Sequence, residues 1–166
     1  LGDVYKRQKL LWSGGWDSTF RLLEIVLVEK KPVQPYYFIA PEHRKSVSNE
    51  QAAQKKIKHA LFAKYPESKT LLLPTIYVKT SDIDPDAEIA KADQESNEIR
   101  HLGRQYEFMA RYCKQNAITG MEICVQKSSD PNCTPRFSPL MVQLGDSPKF
   151  DFNPELKDRP EYPLLK

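Results

Sequence analysis

Two hydrophobic periods alternate along the chain. A short apolar run over residues 9–12 stops abruptly at Ser13-Gly14-Gly15, and short apolar runs bounded by glycine read as buried strands. From Asp17 onward the apolar positions are Phe20, Leu22, Leu23, Val26 and Leu27, with Glu24, Lys30 and Lys31 on the polar side. That spacing predicts a helix with one buried face. Asp17 and Ser18 suit its first turn, where a carboxylate or hydroxyl meets the positive end of the helix dipole. Pro32 predicts the end of the helix near Lys31.

Residues 33–40 include Tyr36, Tyr37, Phe38 and Ile39 and read as a second strand closed by Pro41. Ser48 with Gln51 has the capping-box spacing that opens a helix over residues 49–64. Ala52, Ala53, Ile57, Ala60 and Leu61 keep its apolar period, and Lys55, Lys56 and Lys58 form its solvated face. A third apolar run over residues 70–78 is interrupted by Pro74, as at an edge position or a bulge. The acidic stretch 82–93 breaks the pattern and predicts a loop with a short helix. Residues 102–114 are helical again, with Tyr106, Met109, Ala110 and Cys113 on one face, and residues 117–125, with Gly120 inside, read as a fourth strand. Residues 150–166 show neither period.

Strands alternating with helices call for a parallel sheet, because parallel neighbours need helical crossovers. The expected fold class is therefore α/β: a three-layer, Rossmann-like parallel sheet with helices on both faces. Ligands of such sheets lie beyond the carboxyl ends of the strands. Among the 166 residues, 25 Lys and Arg stand against 22 Asp and Glu, a net charge of +3. So slight an excess argues against nucleic acid as a partner. No run approaches the roughly 20 apolar residues of a membrane span, and no signal-peptide order is visible, so a cytoplasmic protein without a membrane partner is expected. Three irregularly spaced cysteines argue against a disulfide framework.

The segment Ser13-Gly14-Gly15-Trp16-Asp17-Ser18-Thr19, between the first strand and the first helix, carries the candidate chemistry. Two glycines permit backbone angles closed to other residues and leave no side chain between the loop and an anion. Amides of a glycine turn and of a first helical turn converge on one spot, so phosphate is the natural guest. Ser13, Ser18 and Thr19 add hydroxyl donors, and Asp17 could help hold magnesium, directly or through water. The lysine-bearing pattern G-x-x-x-x-G-K-S/T is absent, and so is G-x-G-x-x-G.

Ser13-Gly14-Gly15-Trp16-Asp17-Ser18 resembles the SGGxDS signature of the PP-loop ATP pyrophosphatases, with Trp16 at the variable position. Three further segments resemble 7-cyano-7-deazaguanine synthases. His43-Arg44-Lys45 with Glu50 is similar to their QRHxxEL stretch, and Gly103-Arg104-Gln105 to their GRN segment. Asp130-Pro131-Asn132-Cys133-Thr134-Pro135-Arg136-Phe137 is similar to their YPDCRPEF. Asn132 stands where that family has Asp and Thr134 where it has Arg. Its four-cysteine zinc site has no counterpart, since Cys113, Cys124 and Cys133 lack C-x2-C spacing.

The resemblance implies ATP and magnesium, with Ser13 to Thr19 around the phosphates, Ile39 and Ala40 beside the adenine, and Arg44 on the nucleotide. It makes Asp17 a catalytic and metal-linked carboxylate and Arg104 a charge-assisted donor to phosphate. Asp130, Asn132 and Cys133 would then meet the substrate, a deazaguanine carboxylate activated by ATP, amidated with ammonia and dehydrated to a nitrile. A homodimer is compatible with it. The implied ATP-binding domain spans residues 9–145. Residues 4–8 resemble translated adapter read-through, so residues 1–8 are expected to be a non-native segment outside the fold, and the irregular residues 146–166 fit a truncated reading frame. The alternatives are another PP-loop ligase, amide-forming or tRNA-thiolating, or a nucleotide- or phosphate-binding module without catalysis.

Overall fold

The computed structural model of the chain describes residues 7–40, 45–99, 105–124, 141–143 and 150–152. β1 (Gln8–Leu11) runs into the glycine turn and α1 (Trp16–Leu23). β2 (Val33–Ile39), α2 (Val47–Lys64) and β3 (Ile76–Lys79) follow. The three strands form one parallel sheet in the order β1-β2-β3, with Leu11 beside Tyr36 and Tyr37 beside Tyr77. The architecture is thus α/β, as the alternation of periods predicts.

On the far side of β1, Leu10 makes a parallel bridge to Glu122: the Leu11 amide donates to the Glu122 carbonyl, and the Glu122 amide to that of Lys9. The spatial order is therefore 122, β1, β2, β3, and chain order reverses at β1. The fourth strand predicted over residues 117–125 shrinks, among the described residues, to this bridge and the neighbouring bridge residue Met121. Ala117 and Gly120 take φ of 50° and 66°, outside the extended region a strand needs.

Side chains in register share a face, and faces alternate along a strand. Leu10, Pro35, Tyr37 and Tyr77 therefore lie on one face, and Leu11, Tyr36, Phe38 and Val78 on the other. The first face receives both helices. Leu10, Trp12, Leu22, Ile25, Val26, Val33, Leu61 and Leu72 make one buried cluster. Phe20, predicted to share the inward face of the helix, is 72% exposed. Two residues apart means nearly opposite sides of a helix, and the inward side belongs to Leu22, Ile25 and Val26. A π-turn over Glu24–Val28 follows, and the helical segment ends before Lys30, which takes φ of 53°.

The second helix also differs in detail from the pattern. Its N-cap is Ser46, whose hydroxyl donates to Glu50 Oε1 at 2.6 Å while the Glu50 amide donates to the Ser46 carbonyl. The pair predicted for this role, Ser48 and Gln51, lies inside the helix. Gln54 and Leu61 are buried, whereas Ala52 and Ala60 are exposed. Lys58, expected on the wet face, lies half-buried over the Trp12 ring and donates to Thr75 Oγ1 at 2.7 Å. Burial lowers its ammonium pKa.

Pro74 does mark a bulge. Val33 bridges Leu72 and Tyr36 pairs with Ile76, so three steps on β2 face four on the neighbouring segment. Val33 directs both backbone groups to that segment, at Leu71 and Leu73. Backbone groups alternate sides along a strand, so Pro35 turns its missing N–H toward the bulge, a place where a central strand accepts proline.

Arg21 ties α1 to its surroundings. Its guanidinium donates to Glu24 at 2.6 Å, to Glu29 at 2.5 Å and to Glu122. Gln8 Nε2 also donates to Glu122, at 2.5 Å. Burial opposes the charge of Arg21, but bonds to Glu122 and Glu29 outweigh it and raise its pKa. Lys31 first, and Arg21 second, hold the Glu29 carboxyl down at about 2 against an ordinary 4.5. A carboxyl depressed in the folded state adds stability above its unfolded pKa and loses it as pH falls through the folded one. Chemical denaturation should therefore show stability falling between about pH 4.5 and pH 2. Lys31→Gln should flatten part of that acid limb.

Residues 1–82 and 122–124 group as one compact unit, and residues 83–121 and 125–166 as a second. In the second, α3 (Ala87–Ile99) is the helix expected within the acidic stretch 82–93, and it is longer than the short one predicted, running on past residue 93. Asp86 Oδ1 accepts the Ile89 amide at 3.0 Å and starts the helix. Its apolar residues Ile89 and Ala92 are buried, while Glu88, Lys91, Glu95 and Glu98 are exposed on its wet face. α4 (Gln105–Gln115) buries Phe108 with the predicted Met109, Ala110 and Cys113. Arg111 donates to the Ile83 and Asp84 carbonyls, and Lys114 pairs with Asp86 and Glu88. β4 (Met141–Gln143) and β5 (Phe150–Phe152) pair antiparallel, where the sequence pattern predicts no strand in residues 150–166. Three-residue strands are too short to show a period. Among the described residues no helix is long and apolar enough to cross a membrane.

Candidate functional site

β1 ends at Leu11, and the chain turns through Ser13, Gly14 and Gly15 into α1. Gly14 has φ of 81°, where a side chain is strained. A Cβ on Gly14 would also meet the Glu50 carbonyl oxygen and Gln54 Cγ of α2, each at 3.1 Å. This glycine thus serves the fold as well as any ligand. Gly15 differs. Its φ of −76° and ψ of 172° suit any residue, and among the described residues beyond its chain neighbours a Cβ there would meet only Ser13 Oγ, at 3.3 Å. The open flank of the loop lies at Gly15.

The three hydroxyls bond within the loop. Ser13 Oγ accepts the Gly15 amide at 3.3 Å and lies 3.2 Å from Ser18 Oγ. Ser18 is buried, and Thr19 Oγ1 accepts the Trp12 indole N–H at 3.0 Å. The first helical bond runs from the Thr19 amide to the Gly15 carbonyl, and among the described residues no side chain caps α1, whose N-cap is Gly15. The amides of Trp16, Asp17 and Ser18 therefore have no acceptor within the helix. Three N–H groups at the positive end of a helix dipole beside a residue without a side chain can receive an anion.

Asp17 is exposed in that first turn, as is Trp16. Ile39 ends β2 and Ala40 follows it, and the parallel alignment puts both on the same edge of the sheet as the loop. Ala40 is buried, and the Ile39 carbonyl accepts the Thr80 hydroxyl at 3.1 Å. Arg44, Arg104, Asp130, Asn132 and Cys133 lie outside the described residues, as do His43, Gly103 and His101. Among the described residues no group of three His, Cys, Asp or Glu could hold a metal ion. Cys124 is pushed up to about 12, first by burial and then by the Glu122 and Asp17 carboxylates. A thiol held protonated is a poor nucleophile.

The residues that the sequence pattern misses stand behind the loop. Gln54, wholly buried, donates to the Trp12 carbonyl at 2.7 Å and receives the Tyr77 hydroxyl on Oε1. Glu50 receives the Tyr37 hydroxyl at 2.8 Å. One signal was available: Gln54, Ile57 and Leu61 are spaced as one helical face, so a polar residue occupies an apolar period. No family model matches the chain, and no curated protein or solved structure matches it.

Proposed function

We propose that the chain binds ATP through Ser13 to Thr19 and cleaves it between the α and β phosphates, as an AMP-forming carbon–nitrogen ligase of the PP-loop type. The observation that carries this reading is the uncapped start of α1, entered through a left-handed Gly14 and an open Gly15. Its position at the carboxyl end of β1, where strand order reverses, adds support, because nucleotides bind at such switch points. The SGGxDS string supplies the family, and with it the three-layer, Rossmann-like form of the sheet and an ATP-binding domain over residues 9–145.

On this reading the amides of Trp16, Asp17 and Ser18 hold the β and γ phosphates and stabilise charge developing on the departing pyrophosphate. The hydroxyls of Ser13 and Ser18 shape the turn. Asp17 is the one carboxylate in the first turn of α1, and a carboxylate beside phosphate oxygens suits magnesium, which keeps several waters and needs few protein ligands. Magnesium, when bound, would offset phosphate charge. Ile39 and Ala40 bound the adenine side. Arg44, Arg104, Asp130, Asn132 and Cys133 keep the roles that the resemblance to 7-cyano-7-deazaguanine synthases implies, with a deazaguanine carboxylate and ammonia as substrates. The protein's part is chiefly orientation.

Calorimetric titration with MgATP and an assay of pyrophosphate release test this reading. Asp17→Ala is expected to lower ATP cleavage by roughly 100-fold, since charge stabilisation in the transition state is lost. Wild-type cleavage by that variant would remove Asp17 from the mechanism. ATP binding without pyrophosphate release, in the presence of the carboxylate and ammonia, would identify a nucleotide-binding module instead.

A further inference from the structure

Side chains from both neighbouring strands converge on α2 behind the glycine turn. Tyr37 on β2 and Tyr77 on β3 are register partners on the face that carries α2, with ring centroids 5.9 Å apart and planes at 68°. Their hydroxyls reach Glu50 and Gln54, residues one turn apart on α2. Bond directions at Gln54 follow from elementary chemistry. A backbone carbonyl only accepts, so Nε2 must face Trp12; Oε1 then faces Tyr77, whose hydroxyl must donate. A buried amide is costly unless both ends are bonded, and here both are.

The acceptor matters because of where it sits. The Trp12 carbonyl immediately precedes Ser13 and left-handed Gly14, and Gly14 lies against the same turn of α2. We propose that Gln54, its amide oriented by Tyr77, is the positioning residue that holds the Trp12-to-Gly14 backbone in the shape that presents the α1 amides to phosphate. The role rests on the ATP-loop reading for its ligand, but its effect on the loop can be read without one. Gln54 acts through the Trp12 carbonyl.

Gln54→Glu makes the test sharp. When protonated, its carboxyl reproduces the one donor and one acceptor of the amide; when ionised, it offers only acceptors to a carbonyl that cannot donate. Burial should hold that carboxyl above the ordinary range. Glu50 and Lys58 flank it one turn away on α2, and Tyr37 and Tyr77 face α2 from the sheet. Hydrogen exchange of the Trp12 and Thr19 amides, which donate to the Tyr36 and Gly15 carbonyls at the two ends of the loop, should be about 10-fold faster than wild type near pH 8 and return to wild type toward about pH 5. The MgATP Kd should follow the same profile relative to wild type. Tyr77→Phe, which leaves the bond to Trp12 in place, should speed loop exchange by about 3-fold, and it carries the test if Gln54→Glu does not fold near pH 8. Loop exchange unchanged in these variants, or quickened equally throughout β1 and β2 without pH dependence, overturns the proposal. Wild type failing to bind MgATP while loop exchange behaves as stated removes the ATP reading and leaves the positioning role standing.

Discussion

Gly14→Ala is expected to cost about 3 kcal/mol of stability, the sum of a strained left-handed residue and an overpacked contact. The strain follows from φ of 81°. The contact is the severer problem, since one neighbour of the new Cβ would be a backbone carbonyl oxygen, Glu50 O, at 3.1 Å. A flexible side chain can move aside, whereas a carbonyl inside α2 carries the helix with it. The informative control is Gly15→Ala. With ordinary backbone angles and only Ser13 Oγ nearby, it should change stability by about 0.5 kcal/mol or less, as surface substitutions usually do. Denaturant unfolding of both variants checks this; equal losses would mean that α2 does not abut the turn at Gly14. ATP affinity should show the opposite contrast per unit of stability lost, because the Gly15 methyl would sit on the open flank of the loop.

Arg21→Met should also be damaging, about 2 kcal/mol, between what exposed and buried ion pairs cost, because the cluster is partly buried. Its side chain is 15% exposed, and those of Glu29 and Glu122 are 20% and 21% exposed. Without the guanidinium, Glu24, Glu29 and Glu122 would keep their charges and lose the cation they share. The damage should be partly reversed by Glu122→Gln in the same chain, which removes one repelling carboxylate and keeps an acceptor for Gln8. Guanidinium-chloride midpoints of the two single variants and the double variant measure the coupling. Strict additivity would show that the cluster is not an energetic unit.

Legibility in the sequence depended on the range of the interactions involved. Leu22, Val26, Met109, Ala110 and Cys113 were readable as buried or half-buried helix positions because their partners in the pattern lie three or four residues away. The Pro74 bulge was readable for a similar reason, since a missing N–H is a property of one residue. Phe20 misled because apolar character alone does not say which of two opposite helix sides faces inward. The sequence cannot choose Ser46 with Glu50 over Ser48 with Gln51 at the start of α2, because both pairs offer a hydroxyl ahead of a side-chain acceptor and only the turn taken by the chain makes Ser46 the N-cap.

By itself, the sequence determined the alternation of strands and helices, the parallel α/β sheet that this alternation demands, and the place of the glycine turn between β1 and α1. These follow from periodicity and backbone permissiveness, which neighbouring residues decide among themselves. Only the tertiary structure decided that Ser13 and Ser18 bond to one another and Thr19 to the Trp12 indole, that Gly14 is shaped by α2, and that Gln54 and Tyr77 stand behind it. The bond from Gln54 to Trp12 spans 42 positions and that from Arg21 to Glu122 spans 101. Partners so distant meet only when the whole sheet and its helices are assembled, and no local pattern along the chain encodes the meeting.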